Sequence, residues 1–137
     1  MQIVVNGLGE MGASLALAIK NANTNVEIIG VDRNQAALDQ AAAMGLTTQT
    51  TTDLMTVAAQ ADVIILATPI RAIIATLRDL AQVPLKEGVL VTDTGSTKVQ
   101  VMAAAQGLIK RQIAFVGGHA MAGTQKAGIH ALDAHLY

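Results

Sequence analysis

Residues 2–12 read QIVVNGLGEMG, and this stretch decides the fold. Its short apolar run predicts a β-strand over 2–6, and helical apolar spacing begins at residue 10. Between them, residues 7–12 form the pattern G-x-G-x-x-G. A strand, a glycine turn of this form and a helix are together typical of a βαβ unit that binds a dinucleotide.

Each glycine of the turn has a separate physical task. Gly7 makes the tight turn, Gly9 lets the backbone approach a pyrophosphate, and Gly12 lets the helix pack closely on the strand. The intervening Leu8 and Met11 belong to the same predicted cofactor contact. The anion is expected at the positive end of the helix dipole.

An acidic residue follows at the distance that this fingerprint requires. Asp32 ends the next apolar run, 20 residues after Gly12. Its carboxylate is expected to receive the adenosine ribose hydroxyls and to repel a 2′-phosphate, which favours NAD over NADP. The alternative role for Asp32 is a helix N-cap near Asn34. Arg33 either softens the preference for NAD or is a solvated surface side chain.

Alternation of apolar runs and helical patterns predicts the rest of the chain. Strands are predicted at 2–6, 26–32, 62–68, 89–94 and 113–118, with a weak strand near 47–50, and helices at 10–22, 34–44, 53–60, 70–82 and 97–109. Gly45 is predicted to end the second helix. The alternation predicts a Rossmann-type α/β domain over 1–137, in which a doubly wound, mainly parallel sheet carries helices on both faces.

Composition supports this class and excludes others. Hydrophobic residues make up 52% of the 137 residues and charged residues 14%, which suits strands buried on both faces. A net charge of −1, one Phe and one Tyr argue against a nucleic-acid partner. With no cysteine, no signal-peptide pattern and no apolar run near the roughly 20 residues of a membrane span, we expect a cytoplasmic protein without membrane or metal.

Polar residues follow three of the later strands, where ligands bind in an open α/β sheet. Thr68 and Pro69 come first; the proline is expected to end the strand, and both residues are predicted to contact the cofactor through a backbone group or the hydroxyl. Ser96 is either an N-cap or a hydroxyl aimed into the crevice, and the two roles are compatible. Lys98 is either a solvated side chain or a partner for an anion.

His119 is the candidate catalytic base. It follows an apolar strand and two glycines on the predicted ligand side of the sheet. Oxidation of an alcohol by NAD needs a base for the hydroxyl proton, and histidine suits this task at neutral pH. The alternative is a packed or surface histidine. His130 and His135 have no such context and are expected to be structural or exposed.

Three segments together resemble the prephenate dehydrogenase family, which includes the arogenate dehydrogenases. They are GLGEMGASLALAI (7–19), VTDTGSTK (91–98) and FVGGHAMAGTQKAG (115–128). The resemblance implies that His119 accepts the proton of the ring hydroxyl and that Ser96 helps to hold the histidine and the substrate. It also assigns the glycine turn and Asp32 to the NAD site. The implied reaction is NAD-dependent oxidative decarboxylation of prephenate to 4-hydroxyphenylpyruvate, in tyrosine biosynthesis.

The chain departs from this family in two ways. Ala120 stands where the family usually has a proline after the histidine. The family's second, helical domain, which supplies dimer contacts and an arginine for the substrate carboxylate, does not lie within these 137 residues. We therefore expect a homodimer for the full-length protein and little activity for this chain alone. The alternatives are a β-hydroxyacid dehydrogenase of the 3-hydroxyisobutyrate type and a non-catalytic NAD-sensing module.

Overall fold

The computed structural model describes residues 1–23 and 25–118. Its strands are β1 (Gln2–Asn6), β2 (Glu27–Val31), β3 (Gln49–Thr51), β4 (Val63–Leu66), β5 (Leu90–Asp93) and β6 (Ala114–Val116). Its α-helices are α1 (Glu10–Ala22), α2 (Gln35–Ala43), α3 (Ile70–Leu80), α4 (Val99–Ala104) and α5 (Gln106–Lys110).

The six strands form one parallel sheet in the order β3-β2-β1-β4-β5-β6. The central strand β1 pairs with β2 on one side and β4 on the other, so that Val4 faces Ile29 and Ile64 in register. Strand order therefore reverses between β1 and β4. This topology confirms the predicted Rossmann-type fold, and the reversal marks the place where such sheets bind their ligands.

Apolar clusters on opposite faces of the sheet form the core. Val4 belongs to the cluster that includes Leu77 and Leu108, under α3 and α5. Its neighbour Val5 belongs to the other cluster, which includes Ala13 of α1 and Leu38 of α2. Because successive side chains of a strand point to opposite faces, this division shows that helices cover both faces, as predicted.

The predicted helix over 53–60 is wrong. Two short 3-10 turns stand there instead, at Leu54–Thr56 and Ala58–Gln60. The Thr56 hydroxyl donates to the carbonyl oxygen of Asp53 at 2.7 Å, and Val57 leaves the helical region with φ −121°. Local side-chain bonds of this kind compete with a continuous helix. The weak strand near 47–50 is real but lies at Gln49–Thr51.

The predicted helix over 97–109 begins later and is divided. Its two parts are α4 and α5, which meet at Ala105. The N-cap of α4 is Lys98, and no side chain caps it, so of the two roles given for Ser96 the N-cap role is wrong. The predicted glycine end of α2 is correct, because Gly45 has φ +71° directly after the cap residue. No helix in the described part of the chain has the length and apolarity needed to span a membrane.

Candidate cofactor-binding site

A crevice of about 930 Å³ opens at the carboxyl ends of the strands, over the reversal between β1 and β4. The glycine turn after β1 lines it, together with Asp32 after β2. Thr68 and Pro69 line it from β4, and Ser96 lines it from the loop after β5. The structure thus brings together the described segments that the sequence predicted to converge.

The glycine turn is closely packed at Gly7 and Gly12 and open at Gly9. Gly7 has φ +101°, a conformation that favours glycine, and its N–H donates to the carbonyl oxygen of Val31 at 2.7 Å. A Cβ on Gly12 would lie 1.8 Å from the Gly7 carbonyl oxygen, so the close helix–strand approach requires glycine there. A Cβ on Gly9 would meet nothing within 4 Å. The space beside Gly9 therefore fits a pyrophosphate.

The two glycines make a matched pair for mutation. Gly12→Ala should lower the melting temperature, since its methyl group clashes inside the turn and overpacking costs about 1–3 kcal/mol. Gly9→Ala should leave the melting temperature unchanged or slightly raised, because φ at Gly9 is −75°. It should still weaken NAD binding about tenfold or more, or about 1.4 kcal/mol. Calorimetry measures NAD affinity and thermal unfolding measures stability in both variants. Normal NAD affinity in Gly9→Ala would contradict the proposal that the pyrophosphate lies beside Gly9.

Asp32 is held in place by two backbone N–H groups. Its Oδ2 accepts from Leu8 N–H and its Oδ1 from Asn34 N–H, each at 2.9 Å. A carboxylate oxygen accepts more than one hydrogen bond, so both oxygens keep capacity for a ribose diol. The N-cap alternative for Asp32 is wrong, because Asn34 caps α2 and accepts from Ala36 N–H. Arg33 is exposed and also lines the crevice.

Leu8 and Gly12 support the site without lining the crevice. The Leu8 side chain is buried in the core under α1, and its N–H is directed to Asp32. Gly12 acts through packing. This agrees with the packing role predicted for Gly12, whereas the cofactor contact of Leu8 stays a prediction; Gly7, Gly9 and Met11 line the crevice.

Thr68 and Pro69 form the wall contributed by β4. Pro69 is the N-cap of α3, with φ −58°, and its carbonyl oxygen accepts from Ile73 N–H at 3.0 Å. This confirms that the proline begins the helix, but the strand already ends at Leu66, three residues before Pro69. The Thr68 Oγ1 atom is buried and has no hydrogen-bond partner among the described residues. Thr68 therefore stands in the wall of the crevice, and its contact with the cofactor stays a prediction.

Sequence reasoning missed a second wall of the crevice. It consists of the segment 52–55 and of one face of α3, which carries Ala72, Ala75, Thr76 and Asp79. The spacing of these four residues places them on one side of the helix, and that spacing could have been recognised. The segment 52–55 could not, because its place depends on β3 pairing with the edge of β2.

Asp93, at the end of β5, is a buried carboxylate that sequence reasoning also missed. It forms an ion pair with Lys98 and accepts hydrogen bonds from the N–H groups of Gly95 and Gly118. Lys98 is therefore a partner for an anion, as one of its two alternatives predicted, and that anion is the Asp93 carboxylate of the chain itself. The position of this aspartate at the end of the apolar run VLVTD could have indicated a buried carboxylate.

Ser96 is exposed on the crevice and lies two residues before the N-cap of α4. Ser96→Ala should therefore leave the melting temperature unchanged. Asn34→Ala is the matched control, because Asn34 does cap a helix, and its loss should cost about 1 kcal/mol. Thermal unfolding of both variants tests this difference, and equal destabilisation would restore a capping role for Ser96.

The arginines of the described residues offer one side chain to the crevice, Arg33. Arg111 Nη1 donates to the carbonyl oxygens of Leu80 and Ala81, at 3.2 and 2.8 Å, and so holds the end of α3. Arg71 is exposed in the first turn of α3. His119, His130 and His135 lie outside the described residues, as does Ala120. No group of three or more potential metal ligands occurs in the described part.

The fold and the crevice define a nucleotide-binding domain of the Rossmann class. Residues 15–137 match the family model described as "Prephenate dehydrogenase, nucleotide-binding domain", and the chain belongs to that family. The prephenate dehydrogenase of Lactococcus lactis subsp. cremoris (strain MG1363) is 39% identical over 137 residues, covering 99% of this chain and 38% of that protein. The chain spans less than half the length of the curated relatives it matches.

Solved structures agree with this assignment. The prephenate dehydrogenase from A. aeolicus, in complex with hydroxyphenyl propionate and NAD⁺, superposes with a TM-score of 0.88 at 31% identity, covering 100% of this chain and 47% of that chain. Synechocystis arogenate dehydrogenase superposes with a TM-score of 0.87 at 35% identity, covering 100% of this chain and 47% of the other. The family resemblance is thereby confirmed, and the NAD⁺ in the A. aeolicus structure agrees with NAD as the predicted cofactor.

Proposed function

We propose that this chain is the NAD-binding half of an enzyme that converts prephenate to 4-hydroxyphenylpyruvate by oxidative decarboxylation. The observation that carries the proposal is the crevice, in which the glycine turn and Asp32 meet the loop of Ser96. A module that only senses a nucleotide needs the first two but has no use for Ser96 at the crevice. Family membership also favours this function over a 3-hydroxyisobutyrate-type dehydrogenase.

The described residues divide the work of holding the cofactor. Asp32 receives the ribose hydroxyls with a carboxylate already oriented by two N–H groups. The open side of Gly9 and the N-terminal end of α1 accept the pyrophosphate. Thr68 and Pro69 form the wall of the crevice beside the bound cofactor. When bound, NAD⁺ supplies the hydride acceptor.

His119 and Ser96 act on the substrate in this proposal. His119 takes the hydroxyl proton as the ring carbinol carbon loses hydride, and the Ser96 hydroxyl orients the substrate oxygen and the histidine. The bond to the ring carboxylate then breaks, its electron pair enters the ring, and carbon dioxide leaves. Aromatisation drives this last step, so the protein needs to supply only a base and orientation.

The remaining parts of the proposal concern the whole protein. A further helical domain, following the nucleotide-binding domain over 1–137, holds the substrate and forms a homodimer in the cytoplasm. Prephenate is the proposed substrate, and arogenate is the second candidate because the Synechocystis neighbour is an arogenate dehydrogenase. Tyrosine biosynthesis is the proposed pathway.

The full-length protein, assayed with prephenate or arogenate and either NAD⁺ or NADP⁺, tests this function. We expect prephenate with NAD⁺ to give the highest kcat/KM, with equal amounts of reduced cofactor and 4-hydroxyphenylpyruvate. Faster turnover of arogenate would change the substrate and keep the reaction class. Cofactor binding without turnover of either compound would favour the sensing module.

A further inference from the structure

We propose that Asp93 is a positioning residue that keeps the two proposed catalytic side chains in register. Its carboxylate joins the loop that carries Ser96 to the backbone that leads into His119. The inference rests on the proposed function, because the roles of Ser96 and His119 belong to it. The hydrogen bonds that carry the inference lie entirely within the described residues.

The Asp93 side chain is fully buried and accepts from two separate segments. Its Oδ2 accepts from Gly95 N–H at 2.9 Å and from the ammonium group of Lys98. Its Oδ1 accepts from Gly118 N–H at 3.1 Å. Gly95 directly precedes Ser96, and Gly118 directly precedes His119. One carboxylate therefore fixes the residue before each of the two side chains.

Moving either segment away from the Asp93 carboxylate costs free energy. A buried carboxylate is stable only when it is paired and hydrogen-bonded, so each segment that moves away leaves charge unsatisfied. Hydrogen bonds to an ionised acceptor are also stronger than those between neutral groups. Lys98 supplies the compensating charge, and its side chain is mostly buried as well.

The glycines beside Asp93 are required by the same contacts. A Cβ on Gly118 would lie 2.5 Å from the Asp93 carbonyl oxygen, closer than such atoms approach. A Cβ on Gly95 would lie 2.9 Å from Asp93 Oδ2. A side chain at either position would push its segment away from the carboxylate. The sequences TDTGS and VGGH thus have the form that this close contact needs.

Anchoring β6 to the sheet does not by itself explain Asp93. The β5–β6 ladder already pairs Leu90 with Ala114 and Thr92 with Val116. The Thr92 hydroxyl also donates to the Val116 carbonyl oxygen at 2.6 Å. Asp93 acts beyond the end of this ladder, on Gly118. The contact therefore bears on the direction in which the chain leaves β6.

The test compares Asp93→Asn with Asp62→Asn in the full-length protein. Asp62 is the matched control: it pairs with Lys86 at 2.6 Å near the amino ends of the strands, and Lys86 and the Gln2 N–H lower its pKa. Asp93→Asn should lower kcat for prephenate by about 10- to 100-fold, the scale of small misplacements, while the Kd for NAD stays near that of the wild type. Asp62→Asn should leave kcat and Kd unchanged.

Amide hydrogen exchange, measured by NMR, supplies a readout that does not need activity. The Gly118 and Gly95 amides should exchange slowly in the wild type and faster in Asp93→Asn, with no change in Asp62→Asn. If the wild type does not oxidise prephenate, the proposed function fails while the exchange rates still test the connection. If Asp93→Asn does not fold, Gly118→Ala replaces it, because it displaces the segment and leaves the Asp93–Lys98 pair in place.

Three results would overturn the positioning role. The first is wild-type kcat in Asp93→Asn or Gly118→Ala. The second is an unchanged exchange rate at the Gly118 amide. The third is a fall in kcat that is matched by an equal loss of NAD affinity and of thermal stability, because a merely structural residue would produce that pattern.

Discussion

His119→Asn should reduce the turnover of prephenate by about 10²–10⁴-fold, the usual cost of removing a general base. Asparagine retains polarity and approximate size but cannot take the hydroxyl proton. The proposed NAD contacts lie in the glycine turn and at Asp32, so the Kd for NAD should remain near the wild-type value. Steady-state kinetics and calorimetry on the same preparation measure both quantities.

His130→Asn and His135→Asn are the matched controls for this experiment. They place the same substitution in the same part of the chain, and neither histidine has a predicted role in the reaction. Both should keep kcat within about twofold, as expected for substitutions away from the chemistry. Near-normal turnover in His119→Asn would reduce His119 to a structural residue and remove the base from the proposed mechanism.

The 137-residue chain by itself should bind NAD but turn prephenate over many orders of magnitude more slowly than an ordinary dehydrogenase. The crevice is proposed to provide the nucleotide contacts, but Arg33, which follows Asp32, is the one arginine of the described residues that lines it. Arg111 is already engaged with the end of α3. A substrate carboxylate is usually held by a bidentate arginine, and orientation can be worth about 7–11 kcal/mol of barrier.

A direct assay of the chain with prephenate and NAD⁺ measures this, after NAD binding has been confirmed on the same sample. The full-length protein, assayed in parallel, is the control. A kcat for the chain of about 1–10³ s⁻¹, as in ordinary dehydrogenases, would show that these residues hold a complete site. The proposed division of work between two domains would then be wrong.

The fold was predictable because its signals are local. Strand and turn are each indicated by a few neighbouring residues, in the run QIVVN and in the glycine pattern that follows it. The helix predicted over 10–22 has the same bounds in the structure. Two predicted helices differ from the structure for equally physical reasons: the helix over 53–60 is absent, and the helix over 97–109 begins later. Thr56 bonds back to Asp53, and the loop before α4 is tied to Asp93 by Gly95 and Lys98. The Gly95 and Lys98 contacts of Asp93 are local, its Gly118 contact depends on tertiary structure, and apolar periodicity predicts none of them.

The crevice residues that directly follow strands were predictable from the sequence, whereas the wall at 52–55 was not. Asp32, Thr68 and Ser96 follow strands, so the topology alone brings them to the crevice. Leu8 was grouped with them by motif, although its side chain packs in the core. The wall at 52–55 depends on how an edge strand pairs, and the sequence carries only a weak signal for that strand.

Calorimetric titration of the wild type and of Asp32→Ala, with NAD and with NADP, tests whether Asp32 selects the cofactor. We expect the wild type to bind NAD more tightly than NADP, because the oriented Asp32 carboxylate is proposed to accept the ribose hydroxyls and to repel a 2′-phosphate. Asp32→Ala should lose about 1–3 kcal/mol of NAD affinity and most of the discrimination. Equal or tighter binding of NADP by the wild type would contradict this role of Asp32. Arg33 would then be the residue that decides the cofactor preference.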